Sequence, residues 1–231
     1  MPMLRRELLK LSAGLALAGF KDAGAAEATE NGFCRPDDPL RALMDGNRRF
    51  SSSWREALRN PDATVGQQLK GNRCFNAPAD LIENQRPWGT VLTCADSRVS
   101  PSWIFDTTPG ELFVIRSAGN TAFAEAIASI EYSIDVLRSP LVMVMGHSGC
   151  GAVASALSET SFTPSLERLI NPIRDQIAGS TDLDDAVRRN ARGTASNLRN
   201  RSLLLRQSES DGTLKLVVSH FDLSSGLVSL I

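Results

Sequence analysis

The run Leu141-Val142-Met143-Val144-Met145 is apolar at every position, and it constrains the fold more than any other stretch. A strand with one wet face alternates apolar and polar residues. A strand that does not alternate is buried on both faces, and such strands belong to parallel sheets covered by helices. The neighbouring segments agree. Gly89–Thr93 is a short apolar strand, Glu111–Arg116 (ELFVIR) a second, and 141–145 a third. The final stretch, TLKLVVSHFDLSSGLVSLI, reads as a strand, a turn around Ser224–Gly226 and an edge strand.

Helical periods lie between the strands. Ser100-Pro101 reads as an N-cap followed by proline at the first helical position, opening a short helix that carries Trp103, Ile104 and Phe105. Residues 122–137 place Ile127, Ile130, Ile134 and Leu137 on one stripe. A helix follows Gly151, and residues 180–207 form another, with Val187, Ala191, Leu198 and Leu205 as its apolar stripe. Upstream, PLRALMDGNRRF (39–50) predicts one helix and SSSWREALRN (51–60) a second, short one; residues 60–86 have no clear period and read as mixed loop and short helix. Strand and helix alternation predicts an α/β fold. The expected sheet is mainly parallel and four-stranded with an antiparallel edge strand, helices on both faces and an N-terminal helical arm. Ligands in such sheets bind beyond the carboxyl ends of the strands.

The first residues read differently. Arg5-Arg6, a modest apolar stretch interrupted by Lys10 and Ser12, and the small residues Ala23-Gly24-Ala25-Ala26 have the layout of a twin-arginine export signal. The stretch is too short to span a bilayer. The expected organisation is an export signal peptide over 1–26, an N-terminal helical arm over 27–88 and an α/β core over 89–231. The mature protein would be periplasmic or extracellular, with no stable membrane anchor after cleavage. A formal charge of −1 on 231 residues excludes the basic excess of a nucleic-acid-binding protein, and the arginines of 180–207 read as a solvated face.

Two strands end in polar chemistry. One finishes in Cys94-Ala95-Asp96-Ser97-Arg98, the other in Gly146-His147-Ser148-Gly149-Cys150-Gly151. His147 and Cys150 lie three apart on a glycine-rich loop after a buried strand, and Cys94 ends another strand. Two thiolates and an imidazole form a good zinc set with a fourth position open. With only two histidines in the chain, a three-histidine site is impossible. A thiol-based or purely structural role for these residues remains the alternative on spacing alone. Two thiolates cancel the charge of a zinc ion, so its water is less acidic than at a site of neutral ligands. Asp96 is placed to orient a hydroxide there, and Arg98 to hold Asp96 ionised by a bidentate pair. Alternation along an extended strand end would turn Cys94, Asp96 and Arg98 to one side.

CADSR, followed 53 positions later by HSGC, resembles the β-class carbonic anhydrases, with their Cys-x-Asp-x-Arg and His-x-x-Cys motifs. GNRRF (46–50), PGELFVIRSAGN (109–120), ASIEYSIDVL (128–137), VMGHSGCGAV (144–153) and the ending FDLSSGLV are similar too, so the resemblance covers about residues 38–231. It implies a zinc lyase with Zn2+ on Cys94, His147 and Cys150. The implied reaction is reversible hydration of CO2 to bicarbonate and a proton by a zinc-bound hydroxide. Catalytic roles fall to Asp96 and Arg98. Substrate-binding roles fall to Gln85, nine residues before Cys94, and to Phe113 and Ala118 of an apolar CO2 pocket. The resemblance also implies a homodimer or higher homo-oligomer whose N-terminal helices reach across to a partner, with the pocket near the interface. Hydrolysis of COS or CS2 by the same site, and non-catalytic zinc binding, are the competing readings.

Three departures and three leftover residues complete the reading. Ser117 stands where asparagine is common in this family, which should alter hydrogen bonding and not ligation. Val91 stands where some bacterial members carry a tryptophan that helps form an inhibitory bicarbonate site. Its absence favours an open zinc with Asp96 paired to Arg98. An export signal is itself unusual in a family with many intracellular members. Cys34 and Cys74 can pair in an oxidising compartment or stay as separate thiols. His220, at the end of a predicted strand, reads as structural.

Overall fold

The computed structural model describes residues 35–60, 62–65, 76–158 and 160–231; the expected export signal, Cys34 and Cys74 lie outside the described residues. The elements in chain order are α1 (Pro39–Arg59), α2 (Pro78–Glu83), β1 (Gly89–Cys94), α3 (Pro101–Ile104), β2 (Leu112–Ser117), a 3₁₀ turn (Ala118–Asn120) and α4 (Ala124–Asp135). They continue with β3 (Leu141–His147), α5 (Gly151–Leu157), α6 (Pro164–Ile177), α7 (Leu183–Arg201), α8 (Leu203–Ser210), β4 (Lys215–Asp222) and β5 (Leu227–Leu230).

The five strands form one sheet in the order β2-β1-β3-β4-β5. The first four run parallel, and β5 closes the edge antiparallel to β4. Burial follows position. Every residue of β1 and β3 is buried, and both are interior strands, whereas β2 and β5 are edges and partly exposed. Alternation sorts the core into two faces. Leu92, Val142, Val144 and Leu216 pack with Ile127 and Ile130 of α4, Ala191 and Leu198 of α7, and Leu205 of α8. Val91, Met143, Met145 and Phe221 pack on the other face with Leu43 and Phe50 of α1 and Ile104 of α3.

Two helices differ most from the sequence expectation, while α4 stops at Asp135, short of Leu137. α1 is one continuous helix where two were expected. The triple serine at 51–53 does not break it: Ser51 and Ser53 are buried, and Ser51 Oγ donates to the Ser225 carbonyl at 2.8 Å. Gly46 lets this helix cross α3, since a Cβ there would overlap the Phe105 carbonyl. The single helix expected over 180–207 is two, α7 and α8. Ser202 divides them, because its Oγ caps α8 by accepting from Leu205 N–H at 3.1 Å and itself donates to Glu131 at 2.6 Å. The apolar stripe from Val187 to Leu205 nonetheless runs buried through the break. α6 was not anticipated; Thr163 caps it, with Pro164 at its first position. Among the described residues no helix is long and apolar enough to cross a membrane.

His220 is buried on β4 opposite Gly146. Its Nδ1 lies 3.4 Å from Arg188 Nη2, and its Nε2 lies 3.1 Å from Asp184 Oδ1, off the hydrogen-bond direction. Burial first, then the Arg188 charge, keeps it from protonating as readily as a free imidazole.

Candidate metal centre

β1 and β3 are separated in sequence by β2 but adjacent in the sheet, so their carboxyl ends lie side by side. Cys94 is the last residue of β1 and His147 the last of β3. The chain then turns through Gly149, at φ +64, and delivers Cys150 to the start of α5. All three side chains are buried, and one ligand atom from each lies within 4.8 Å of the others.

The donor set fits a tetrahedral cation. The two sulfurs are 3.9 Å apart, and two thiolates about 2.3 Å from a tetrahedral ion would lie about 3.8 Å apart. His147 Nδ1 sits 3.0 Å from the Ser148 carbonyl, a contact that makes Nδ1 the protonated nitrogen. Nε2 is then left as a bare acceptor, and it is buried with no hydrogen-bond partner. Cys94 is drawn down, first by the hydrogen bond from Cys150, while Cys150 is pushed up by Cys94 and by burial. Two neighbouring thiolates in a buried site repel, and a divalent cation is what lets both ionise.

Asp96 and Arg98 stand at the rim. Arg98 Nε donates to Asp96 Oδ1 at 2.9 Å and Nη2 to Oδ2 at 2.7 Å, and the Arg98 backbone N–H reaches Oδ1 at 3.0 Å. These bonds, led by the guanidinium, hold Asp96 well below the usual carboxylate range. Its Oδ2 is 3.9 Å from His147 Nε2, so an ionised acceptor faces the space around the ligands. The convergence does not come from strand alternation as expected. β1 ends at Cys94, and residues 96–99 make a turn closed by Val99 N–H to Asp96 O at 2.9 Å.

Arg116, not singled out from sequence, fastens that turn. Nε donates to Cys94 O at 3.2 Å, and Nη2 to Asp96 O at 2.7 Å and Val99 O at 2.9 Å. The available signal was an arginine directly after the apolar run Leu112–Ile115. Ser148 was also passed over; its Oγ accepts from Leu223 N–H at 2.9 Å and ties the ligand loop to the β4–β5 turn. Ser117 spends its hydroxyl on Thr121, 3.2 Å away, outside the ligand set.

The expected substrate residues divide. Ala118 follows Ser117, the partner of Cys94 in the β1–β2 register, and is close to the centre. Phe113 pairs with Thr90, four residues back along the strands, or about 13 Å. It packs near Tyr132, ring centroids 6.2 Å apart. Gln85 is exposed and precedes the amino end of β1. The structure thus brings Cys94, His147, Cys150, Asp96, Arg98 and Ala118 together, and leaves Gln85 and Phe113 of the same chain at the other end of the sheet.

Comparison with known proteins agrees with this geometry. The carbonic anhydrase family model matches residues 89–228. A carbonic anhydrase of Mycolicibacterium smegmatis is 32% identical over 199 residues, spanning 82% of this chain and 90% of its own. Carbonic anhydrase 2 of Mycobacterium tuberculosis is 29% identical over 195 residues, spanning 80% and 88%. Among solved structures, a tetrameric β-carbonic anhydrase of Sordaria macrospora superposes with a TM-score of 0.59 at 23% identity, covering 78% of this chain and 97% of that one. The Coccomyxa β-carbonic anhydrase in complex with acetazolamide gives 0.59 at 24% identity, covering 85% and 87%. Sequence and fold together make the chain a member of the carbonic anhydrase family, with the fold of its β class.

Proposed function

We propose that the protein catalyses the reversible hydration of CO2 to bicarbonate and a proton with zinc held by Cys94, His147 and Cys150. The observation that carries this is the buried Cys-His-Cys set beside an ionised Asp96. A zinc ion there would supply the Lewis acidity that makes water a nucleophile near neutral pH. Asp96 accepts a hydrogen bond from the attacking oxygen and turns its lone pair toward the carbon of CO2. Arg98 keeps that carboxylate charged and aimed. Ala118 lines the apolar approach for an uncharged substrate.

Gln85 and Phe113 act in this reading from a second copy of the chain. β2 is an edge strand, and beside it Val114, Phe123, Tyr132 and Val136 are exposed, with Phe113 half-buried. Covering this edge would bury an apolar patch and bring the amino ends of β1 and β2 toward a partner. The Sordaria enzymes described as tetrameric support a homo-oligomer. Residues 1–26 serve in the same reading as an export signal, supported by Arg5-Arg6 and the small residues before position 27; fractionation of cells expressing the full chain tests it, and an intracellular, uncleaved product would overturn it.

Zinc content measured alongside stopped-flow CO2 hydration tests the activity. One zinc per chain with rapid hydration is expected. Stoichiometric zinc without hydration would overturn the proposal, and turnover in a parallel COS assay would then redirect it.

A further inference from the structure

The Cys94 sulfur has a partner outside the ligand set. The backbone N–H of Gly119 donates to Sγ at 3.3 Å. Gly119 lies in the 3₁₀ turn after β2 at φ +70, where an added Cβ would stand 2.5 Å from Ile173 Cδ1. Packing therefore presses this residue from one side. From another, Asn190 of α7 holds it: Nδ2 donates to the Gly119 carbonyl at 2.8 Å.

Asn190 is wholly buried, and its Oδ1 has no partner. A buried amide with an unpartnered oxygen works against folding. The helix around it packs chiefly through Val187 and Ala191, apolar residues in the same interior. What the asparagine adds is its donor: Nδ2 bonds the Gly119 carbonyl at 2.8 Å and, at 3.5 Å, Asn120 Oδ1 in the same turn.

We propose that Asn190 is a positioning residue of the metal centre, which holds Gly119 so that its N–H is aimed at the Cys94 sulfur. A hydrogen bond to a ligating thiolate withdraws electron density from the sulfur. Two thiolates otherwise neutralise a divalent cation, and this bond preserves part of its electrophilic character. The inference rests on Cys94 being a metal ligand.

The test uses the full chain loaded with cobalt(II). Asn190→Leu keeps the volume and removes the donor. Its sulfur-to-cobalt charge-transfer absorption should move to longer wavelength, and its metal affinity by chelator competition should fall about tenfold. Leu198→Ala, in the core further along α7, should lower thermal stability and leave the absorption in place. An unshifted band with affinity within twofold of wild type in Asn190→Leu would overturn the inference, as would an equal shift in Leu198→Ala. If Asn190→Leu does not fold, wild-type protein loaded with NMR-active cadmium gives the same decision. The Gly119 amide proton should show scalar coupling to cadmium through the sulfur, and its absence would overturn the inference. Wild-type protein with no sulfur-to-cobalt band would overturn the metal-centre reading itself.

Discussion

Arg98 grips Asp96 in a fork, Nε to Oδ1 at 2.9 Å and Nη2 to Oδ2 at 2.7 Å, while Nη2 also reaches the Gly149 carbonyl at 3.2 Å. One guanidinium therefore joins the turn after β1 to the loop that carries His147 and Cys150. Bidentate pairs of this kind fix orientation as well as charge.

The first prediction concerns that pair and pH. The folded pKa of Asp96 is depressed, chiefly by Arg98, so the ionised state is fully present above the ordinary carboxylate value of about 3.9 and is lost only as pH falls through the lower folded value. Asp96 titration should not limit hydration between pH 5 and 8. Arg98→Ala should raise that pKa and move the acid limb of the rate profile upward. Asp96→Asn should keep its zinc and lose hydration on the order of 10²-fold, the scale for one preorganised group at the reacting atoms. Full activity in Asp96→Asn would remove Asp96 from the mechanism.

Ligand loss should look different. Cys150→Ser replaces a buried thiolate with a poorer donor, and zinc affinity should fall by more than the roughly 10–100-fold typical of outer-shell changes. Metal analysis after dialysis against a chelator checks this. A variant that retains stoichiometric zinc would show that Cys150 is not a ligand.

Self-association can be attacked at the sheet edge. Val114 is exposed on β2, and Val114→Asp puts a charge in the proposed contact. Self-association should weaken at least about tenfold, equivalent to about 1.4 kcal/mol, when followed by light scattering over a dilution series. Hydration per subunit should fall with it, since Phe113 and Gln85 are proposed to come from the partner. An unchanged oligomer with unchanged activity would place the contact elsewhere.

Acid should loosen the β4–β5 turn. Burial alone would raise the pKa of Asp222, but bonds from the Ser225 and Ser224 hydroxyls and backbone amides outweigh it and lower the value to about 2. A depressed pKa gives stability that is present above about pH 4 and lost as pH falls toward 2. Asp222 is partly solvated, so screening keeps the effect to about 1 kcal/mol or less. Asp222→Asn should lower the neutral-pH melting temperature slightly and flatten its acid dependence, as read by circular dichroism between pH 2 and 7. A melting curve that tracks wild type throughout would exclude this contribution.

The sequence by itself determined the local matters. Uninterrupted apolar character identified 141–145 as a doubly covered strand, and the two polar strand ends carried all the candidate ligand types. It misjudged α1, because a run of serines weakens helix propensity and nothing local shows that Ser51 and Ser53 face the interior. It also joined α7 to α8, because the apolar stripe continues through Ser202 while the Glu131 partner comes from 71 residues away. Tertiary structure alone decided what strand order and register decide. β1 lies beside β3, so that residues 53 apart meet. The β1–β2 register separates Phe113 from Cys94, and α7 crosses close enough for Asn190 to hold Gly119. Periodicity reports the face a residue occupies on its own element. It carries no information about which elements become neighbours, and the candidate metal centre is made of neighbours.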